Sequence, residues 1–151
     1  MFKYEWLYAN SKDIPSWLVL LDKVQNNFPG LDKAQYAKNL NLSISKREAI
    51  VVKDKDKIIG ALAFTKEDYE ILFLAVDPEY RHQKIATILI KTIINIAPPK
   101  QNISVVTYRE NDSLGKAARC LYLHLGFSAK DLFEQYDYPV QRFVFERNES
   151  K

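Results

Sequence analysis

Glu70-Ile-Leu-Phe-Leu-Ala-Val-Asp-Pro-Glu-Tyr-Arg-His-Gln-Lys-Ile-Ala-Thr-Ile-Leu-Ile90 reads as a strand, a short basic loop and the opening of a helix. Asp68 to Val76 is dense in apolar residues, which predicts a strand covered on both faces. Asp77-Pro78 ends it. Beyond, Ile85, Ile88, Leu89, Ile93 and Ile96 recur at three- and four-residue steps, one apolar face of a long helix that Pro98-Pro99 stops. The first-turn N–H groups of such a helix have no intrahelical acceptor, and its dipole turns a positive end toward the loop. Arg81, His82 and Lys84 add positive charge there. This is the physical description of an anion site, with phosphate as the usual occupant. It equally describes a strand–helix corner carrying ordinary solubilising cations, since most helix N-termini bind nothing.

Working outward, residues 2–8 alternate as a first strand. Ile14, Trp17, Leu18, Leu21, Val24 and Phe28 then mark a helix face, with Pro15 in its first turn and Phe28-Pro29-Gly30 at its end. A weaker helical stretch covers Asp32 to Asn39. Ala49 to Val52 and Ile58 to Phe64 flank Asp54-Lys55-Asp56 as a hairpin. Downstream, Ile103 to Tyr108 is a strand. Leu114, Ala118, Leu121 and Leu125 mark a helix capped by Gly126, Phe127 begins another strand, and Arg142 to Arg147 alternates as the last. The order predicts a single mixed α/β domain over residues 1–151.

The 151 residues carry a net charge of +3 and no Lys/Arg run dense enough for a nucleic-acid or membrane patch. One cysteine, Cys120, leaves no internal disulfide. The N-terminal residues lack a signal-peptide pattern, and no apolar run approaches the roughly 20 residues of a membrane span. The expected location is therefore the cytoplasm. With only four glycines there is no G-x-x-x-x-G-K-[ST] and no G-x-G-x-x-G. His82 and His124 have no partner at ligand spacing, so no metal is expected.

Val76-Asp-Pro78-x-x-Arg81-x-x-Lys84-x-Ala86 resembles motif A of the GNAT superfamily of acetyl-CoA-dependent acyltransferases, whose core is [RQ]-x-x-G-x-[GA]. Ala118-x-x-x-Tyr122-x-x-x-Gly126-Phe127 resembles its motif B. The strings from Thr107 to Tyr122 and from Asp137 to Phe143 are similar to a bacterial branch, so the resemblance covers roughly residues 49–147. It implies a GNAT-like α/β fold, a mixed sheet of six to seven strands flanked by about four helices. It implies acetyl-CoA as co-substrate, with the pyrophosphate held by Arg81, His82, Gln83, Lys84, Ile85, Ala86 and Thr87 and the pantetheine arm along Leu74, Ala75 and Val76. The partner would be a small-molecule or protein amine rather than nucleic acid or membrane, and the resemblance leaves room for a homodimer. Two positions depart from the family. Lys84 replaces the first motif glycine, whose lack of Cβ allows close backbone approach; lysine either shifts that contact or compensates with charge. Gly115 stands where relatives carry asparagine seven residues before the tyrosine, with Asn111 further upstream.

Acyl transfer to an amine needs a neutral nucleophile, although a lysine-like amine has a pKa of about 10.4. It also needs donors for the developing oxyanion, and a proton for the departing thiolate. By resemblance Tyr122 is the acid, and backbone N–H groups near Leu74 and Ala75 serve the oxyanion. Tyr122 also fits as a packed core residue beside Ala118 and Leu125. Glu70 precedes Leu74 by four residues, so an unbroken strand puts both on one face. Glu70 is the candidate base, or else a solvated glutamate at a strand start; Glu110 is a second choice. Cys120 lies two positions from Tyr122 on a helix and faces away from any pocket that Tyr122 lines, which favours direct transfer in a ternary complex. By resemblance the acceptor enters near Phe28, Tyr136 and Tyr138, which serve equally as core aromatics. The alternative function is a non-catalytic acyl-CoA-binding or sensing domain.

Overall fold

A computed structural model describes residues 3–24 and 31–147. Seven strands form one sheet in the order β1-β2-β3-β4-β5-β7-β6. They are β1 (Trp6–Tyr8), β2 (Ala49–Asp54), β3 (Lys57–Phe64), β4 (Glu70–Val76), β5 (Ile103–Tyr108), β6 (Ser128–Gln135) and β7 (Tyr138–Phe145). Four helices flank them: α1 (Ile14–Val24), α2 (Lys33–Ser45), α3 (Ile85–Ile96) and α4 (Lys116–His124). The expected fold class is the one observed. No helix among the described residues is long and apolar enough to cross a membrane.

Each face of the sheet has its own core. On one side α3 and α4 cover Ile50, Leu62, Phe64, Ile71, Ile103, Val105 and Phe143. On the other, Trp17, Leu20 and Leu21 of α1 and Leu40 of α2 cover Val51, Ala61, Ala63, Phe73 and Ala75. Several boundaries differ from expectation. α2 runs six residues past Asn39 to Ser45, with the Asp32 carboxylate capping it through the Gln35 N–H at 3.2 Å. β7 begins at Tyr138, four residues before Arg142, despite Pro139. That proline lies beyond the end of β5, whose last partner is Val140, so its missing N–H costs no ladder bond. Phe28 and the predicted stop at Pro29-Gly30 fall outside the described residues.

β4 departs most from expectation. Phe64 pairs with Ile71 and Ala63 with Phe73, so Leu72 is an extra residue, a β-bulge. The bulge exchanges the faces: Ile71 packs with the α3/α4 core, whereas Phe73 and Ala75 pack with the α1/α2 core. Glu70 and Leu74 therefore lie on opposite faces, which corrects the expectation of a shared one. Nor is β4 covered on both sides, since Leu72 is 55% exposed and Leu74 and Val76 are only half-buried. The cause is its other neighbour. β4 and β5 are parallel and pair only at Glu70↔Ser104 and Ile71↔Val105.

At the end of β4, the Asp77 carboxylate is 1% exposed and holds Lys23 of α1 at 2.7 Å, Lys57 of β3 at 3.6 Å and the Glu79 N–H at 2.9 Å. Burial alone raises a carboxyl's pKa, but Lys23, the Glu79 N–H and Lys57 together outweigh it and hold Asp77 below the usual range. A depressed native pKa contributes stability that is complete above about 3.9, the unfolded value, and is lost as the pH falls through the native value. Asp77→Asn is expected to cost about 1–3 kcal/mol in urea unfolding at pH 7. The difference from wild type should shrink at pH 3; an equal difference at both pH values would show that the charge contributes nothing.

Candidate active site

The parting of β4 from β5 opens a cleft of about 670 Å³. Its walls are β4 from Ile71 to Val76, β5 from Val105 to Tyr108, the loop and first turn leading into α3, and Ala117, Ala118, Leu121 and Tyr122 of α4. Beyond Ile71, the β5-facing backbone groups of β4 have no strand partner. Leu74, Ala75, Val76, Arg81, His82, Lys84, Ile85, Ala86, Thr87 and Tyr122 all line this one cleft.

At one end the cleft meets α3 head-on. The first intrahelical bond runs from the Ile88 N–H to the Lys84 carbonyl at 3.0 Å, so the N–H groups of Ile85, Ala86 and Thr87 have no helical acceptor. Arg81, His82 and Lys84 are exposed there, and none makes an ion pair among the described residues. The loop is instead fixed by its other members. Asp77 holds the two lysines, the Tyr80 hydroxyl donates to Asp54 Oδ2 at 2.7 Å, and Gln83 Oε1 accepts from the Tyr4 hydroxyl at 3.3 Å. Gln83 accordingly does not line the cleft. The result is a pinned loop that gathers Arg81, His82, Lys84 and three N–H groups without helical acceptors at one end of the cleft, an arrangement that suits an anion.

Lys84 occupies the left-handed region at φ 66 and ψ 22, immediately before α3. Lys84 thus holds a backbone conformation that glycine adopts freely and lysine only at a steric cost.

Tyr122 is buried, with its ring against Phe127 at 5.6 Å and Phe143 at 5.8 Å, and it also lines the cleft. The packed core position and a place on the cleft wall are thus compatible for this residue. Burial pushes its phenol well above the ordinary pKa, so it keeps its proton at neutral pH. Gly126, at φ 101, ends α4 and lets the Phe127 N–H return to the Tyr122 carbonyl at 2.9 Å, fixing the tyrosine's turn of helix. Gly115 answers a steric demand, because a Cβ there would lie 2.8 Å from Tyr108 Cβ. Asparagine cannot occupy that place unless β5 and α4 move apart. Cys120 is exposed and does not line the cleft.

Glu70 does not line the cleft. It is half-buried at the start of β4, on the α1/α2 face. Burial raises its carboxyl pKa and Asp68 raises it further, while Arg142 opposes both. Tyr136 stands at the tip of the β6–β7 hairpin, 96% exposed. Tyr138 packs against Tyr108 with the rings tilted by 57° and their centroids 5.1 Å apart, and its hydroxyl donates to Asp112 at 2.8 Å. Sequence reasoning missed the bulge and the entire β5 wall. The wall was open to inference, because a strand beside a mid-sheet gap must line it; nothing in an unbroken apolar run marks a bulge. No group of three or more His, Cys, Asp or Glu suited to a metal ion exists among the described residues.

The sequence profile described as "Acetyltransferase (GNAT) domain" matches residues 45–129, more than half of the chain. No curated protein matches the sequence. Among solved structures, a GNAT-family acetyltransferase from Bacillus cereus superposes with a TM-score of 0.78 at 18% identity, covering 97% of this chain and 99% of that one. Ard1 from Thermoplasma volcanium gives 0.76 at 15% identity, over 97% and 99%. The ribosomal-protein-S18-alanine N-acetyltransferase from Escherichia coli gives 0.70 at 15%, over 93% and 90%. At these identities the likeness is one of fold.

Lys84→Gly should raise stability by about 0.5 kcal/mol. Relief of a left-handed penalty of about 1–2 kcal/mol is partly offset by about 0.4–1 kcal/mol of added unfolded-chain entropy. Lys84→Val should lower it, since a β-branched residue tolerates that region least. Denaturant midpoints that rank valine at or above lysine would refute the strain.

Proposed function

We propose, on the premise that the chain belongs to the GNAT acetyltransferase family, that it moves the acetyl group of acetyl-CoA to a primary amine by direct attack in a ternary complex. One observation carries the reading. The cations and N–H groups at the head of α3 open onto the same cleft that Tyr122 lines. A cofactor with a pyrophosphate at one end of a long, mostly apolar arm fits that pairing of polar head and apolar trench.

When bound, acetyl-CoA supplies an activated thioester carbonyl and a thiol leaving group. Arg81, His82, Lys84 and the first turn of α3 bind the pyrophosphate. The strand-free backbone of β4 near Leu74 and Ala75 orients the arm and offers N–H donors to the carbonyl oxygen. Tyr122 holds a proton at its hydroxyl and gives it to the departing sulfur. Glu70 lies on the opposite face of β4 from Leu74, which is where an acceptor's proton would leave if the amine approaches from the α1/α2 side. Its raised pKa suits a base, directly or through water. Cys120 has no part, in keeping with its outward position. A domain that binds acyl-CoA without chemistry is the alternative, and its motive, lysine in place of glycine, is weakened because Lys84 adopts a left-handed conformation that glycine would allow. The proposed setting is the cytoplasm, in keeping with a lone cysteine and no membrane-length helix among the described residues.

Acetyl-CoA at 100 times its Kd should stabilise the protein by about 2.7 kcal/mol. An unmoved thermal midpoint at millimolar acetyl-CoA would refute both coenzyme A readings. Tyr122→Phe should lower kcat about 100-fold with the cofactor's KM nearly unchanged, read by thiol release; an unaltered kcat removes Tyr122 from the acid role. Wild-type kcat/KM should rise with pH along a limb lying above the ordinary carboxylate range, and Glu70→Gln should abolish that limb. A limb that survives the substitution belongs to another group.

A further inference from the structure

A second cavity of about 410 Å³ adjoins the cleft, lined by Arg109, Asn111, Asp112, Ser113, Tyr138 and Pro139. The two share a partition. Tyr108 and Leu114 line the cleft while their chain neighbours Arg109 and Ser113 line the second cavity, and the tilted Tyr108–Tyr138 ring pair continues the wall. At these places the partition is on the order of one Cα step, about 4 Å, so a flexible acceptor lying in the cleft along Tyr108 and Leu114 has only a few bonds to extend into the second cavity.

The cavity's charges are disposed unequally. Asp112 Oδ2 accepts from the Tyr138 hydroxyl at 2.8 Å and Oδ1 from the Leu114 N–H at 3.0 Å. Both donors are neutral, and Asp112 forms no ion pair among the described residues. Among the described lining residues the one cation faces elsewhere: Arg109 Nε donates to the Val140 carbonyl at 3.2 Å and Nη2 to the Phe133 carbonyl at 2.9 Å, tying down the β6–β7 hairpin. Asp112 thus has no cationic partner among the described residues and a lone pair to spare on each oxygen, beside two aromatic rings whose faces attract cations. We infer that this cavity receives a second ammonium group of the acceptor, so that the preferred substrates are short diamines or amines carrying another cation a few bonds away. The inference rests on the proposed amine acetylation and names its substrate class. A carboxylate at the same distance would meet Asp112 with like charge.

Thiol release from acetyl-CoA is compared for 1,4-diaminobutane, 1-aminobutane and 4-aminobutanoate, with wild type and Asp112→Asn. Asparagine keeps an acceptor for the Leu114 N–H, and an acetyl-CoA thermal shift confirms that the variant is folded. Wild type should favour the diamine over the monoamine in kcat/KM by about tenfold or more, with the amino acid last, and Asp112→Asn should bring the diamine-to-monoamine ratio close to one. A wild-type ratio below about threefold, or a ratio that survives Asp112→Asn, overturns the inference. Calorimetric titration of 1,4-diaminobutane into the protein–coenzyme A complex separates it from the proposed reaction. Binding that depends on Asp112 upholds the subsite even if no amine is acetylated, and its absence overturns it.

Discussion

β4 and β5 agree for two residues and then part, and the rest of the molecule is organised around that disagreement. A gap in mid-sheet leaves backbone donors and acceptors unmatched on both margins. Such a gap survives only where neighbouring elements hold the margins apart. α3 packs Ile85, Ile88 and Leu89 against β2, β3 and β4 from one side, and α4 braces β5 through Arg119, whose guanidinium donates to Gln141 and to the Tyr108 carbonyl. The bulge at Leu72 sits where the strands separate and turns the apolar face of β4 from one core to the other. The cleft is therefore as much a product of packing as the cores are.

The sequence was most legible where one period dominates. The isoleucines of α3 and the two apolar runs flanking Asp54-Lys55-Asp56 placed their elements within a residue or two. Gly126 announced the end of α4. The anion corner at Arg81 to Thr87 was legible as chemistry, because it follows from helix ends and charge without any tertiary information. β4 was not legible in the same way. Ile71 to Val76 is apolar at every position, so no alternation exists for an inserted residue to interrupt, and period-two counting put Glu70 on the wrong face. The same uniformity suggested a strand covered twice, when its half-open residues are apolar because they line a trench.

Lys84 shows how a departure from a pattern can be conservative in backbone and radical in side chain. Its left-handed φ is one that glycine adopts freely, while its ammonium joins Arg81 and His82 at the same corner. The surrounding loop tolerates the strain because Asp77, Tyr80 and Gln83 are each tied to a different element: α1 and β3, β2, and the N-terminal Tyr4. Local strain persists where the neighbourhood over-determines the conformation.

The narrow β4–β5 junction also bears on how the chain acquires its structure. β1 to β4 pair with neighbours in sheet order, β5 to β7 form a second set of pairings among themselves, and among the described residues only the pairing at Glu70↔Ser104 and Ile71↔Val105 joins the two sets of strands. Those partners lie more than thirty residues apart in the chain, so their closure waits on the α3 crossover and carries a larger entropic cost than any hairpin. The backbone joins the two sets at a narrow seam, but one core runs beneath it from Ile50 and Leu62 to Val105 and Phe143, so side-chain packing rather than the ladder holds the halves of the sheet together.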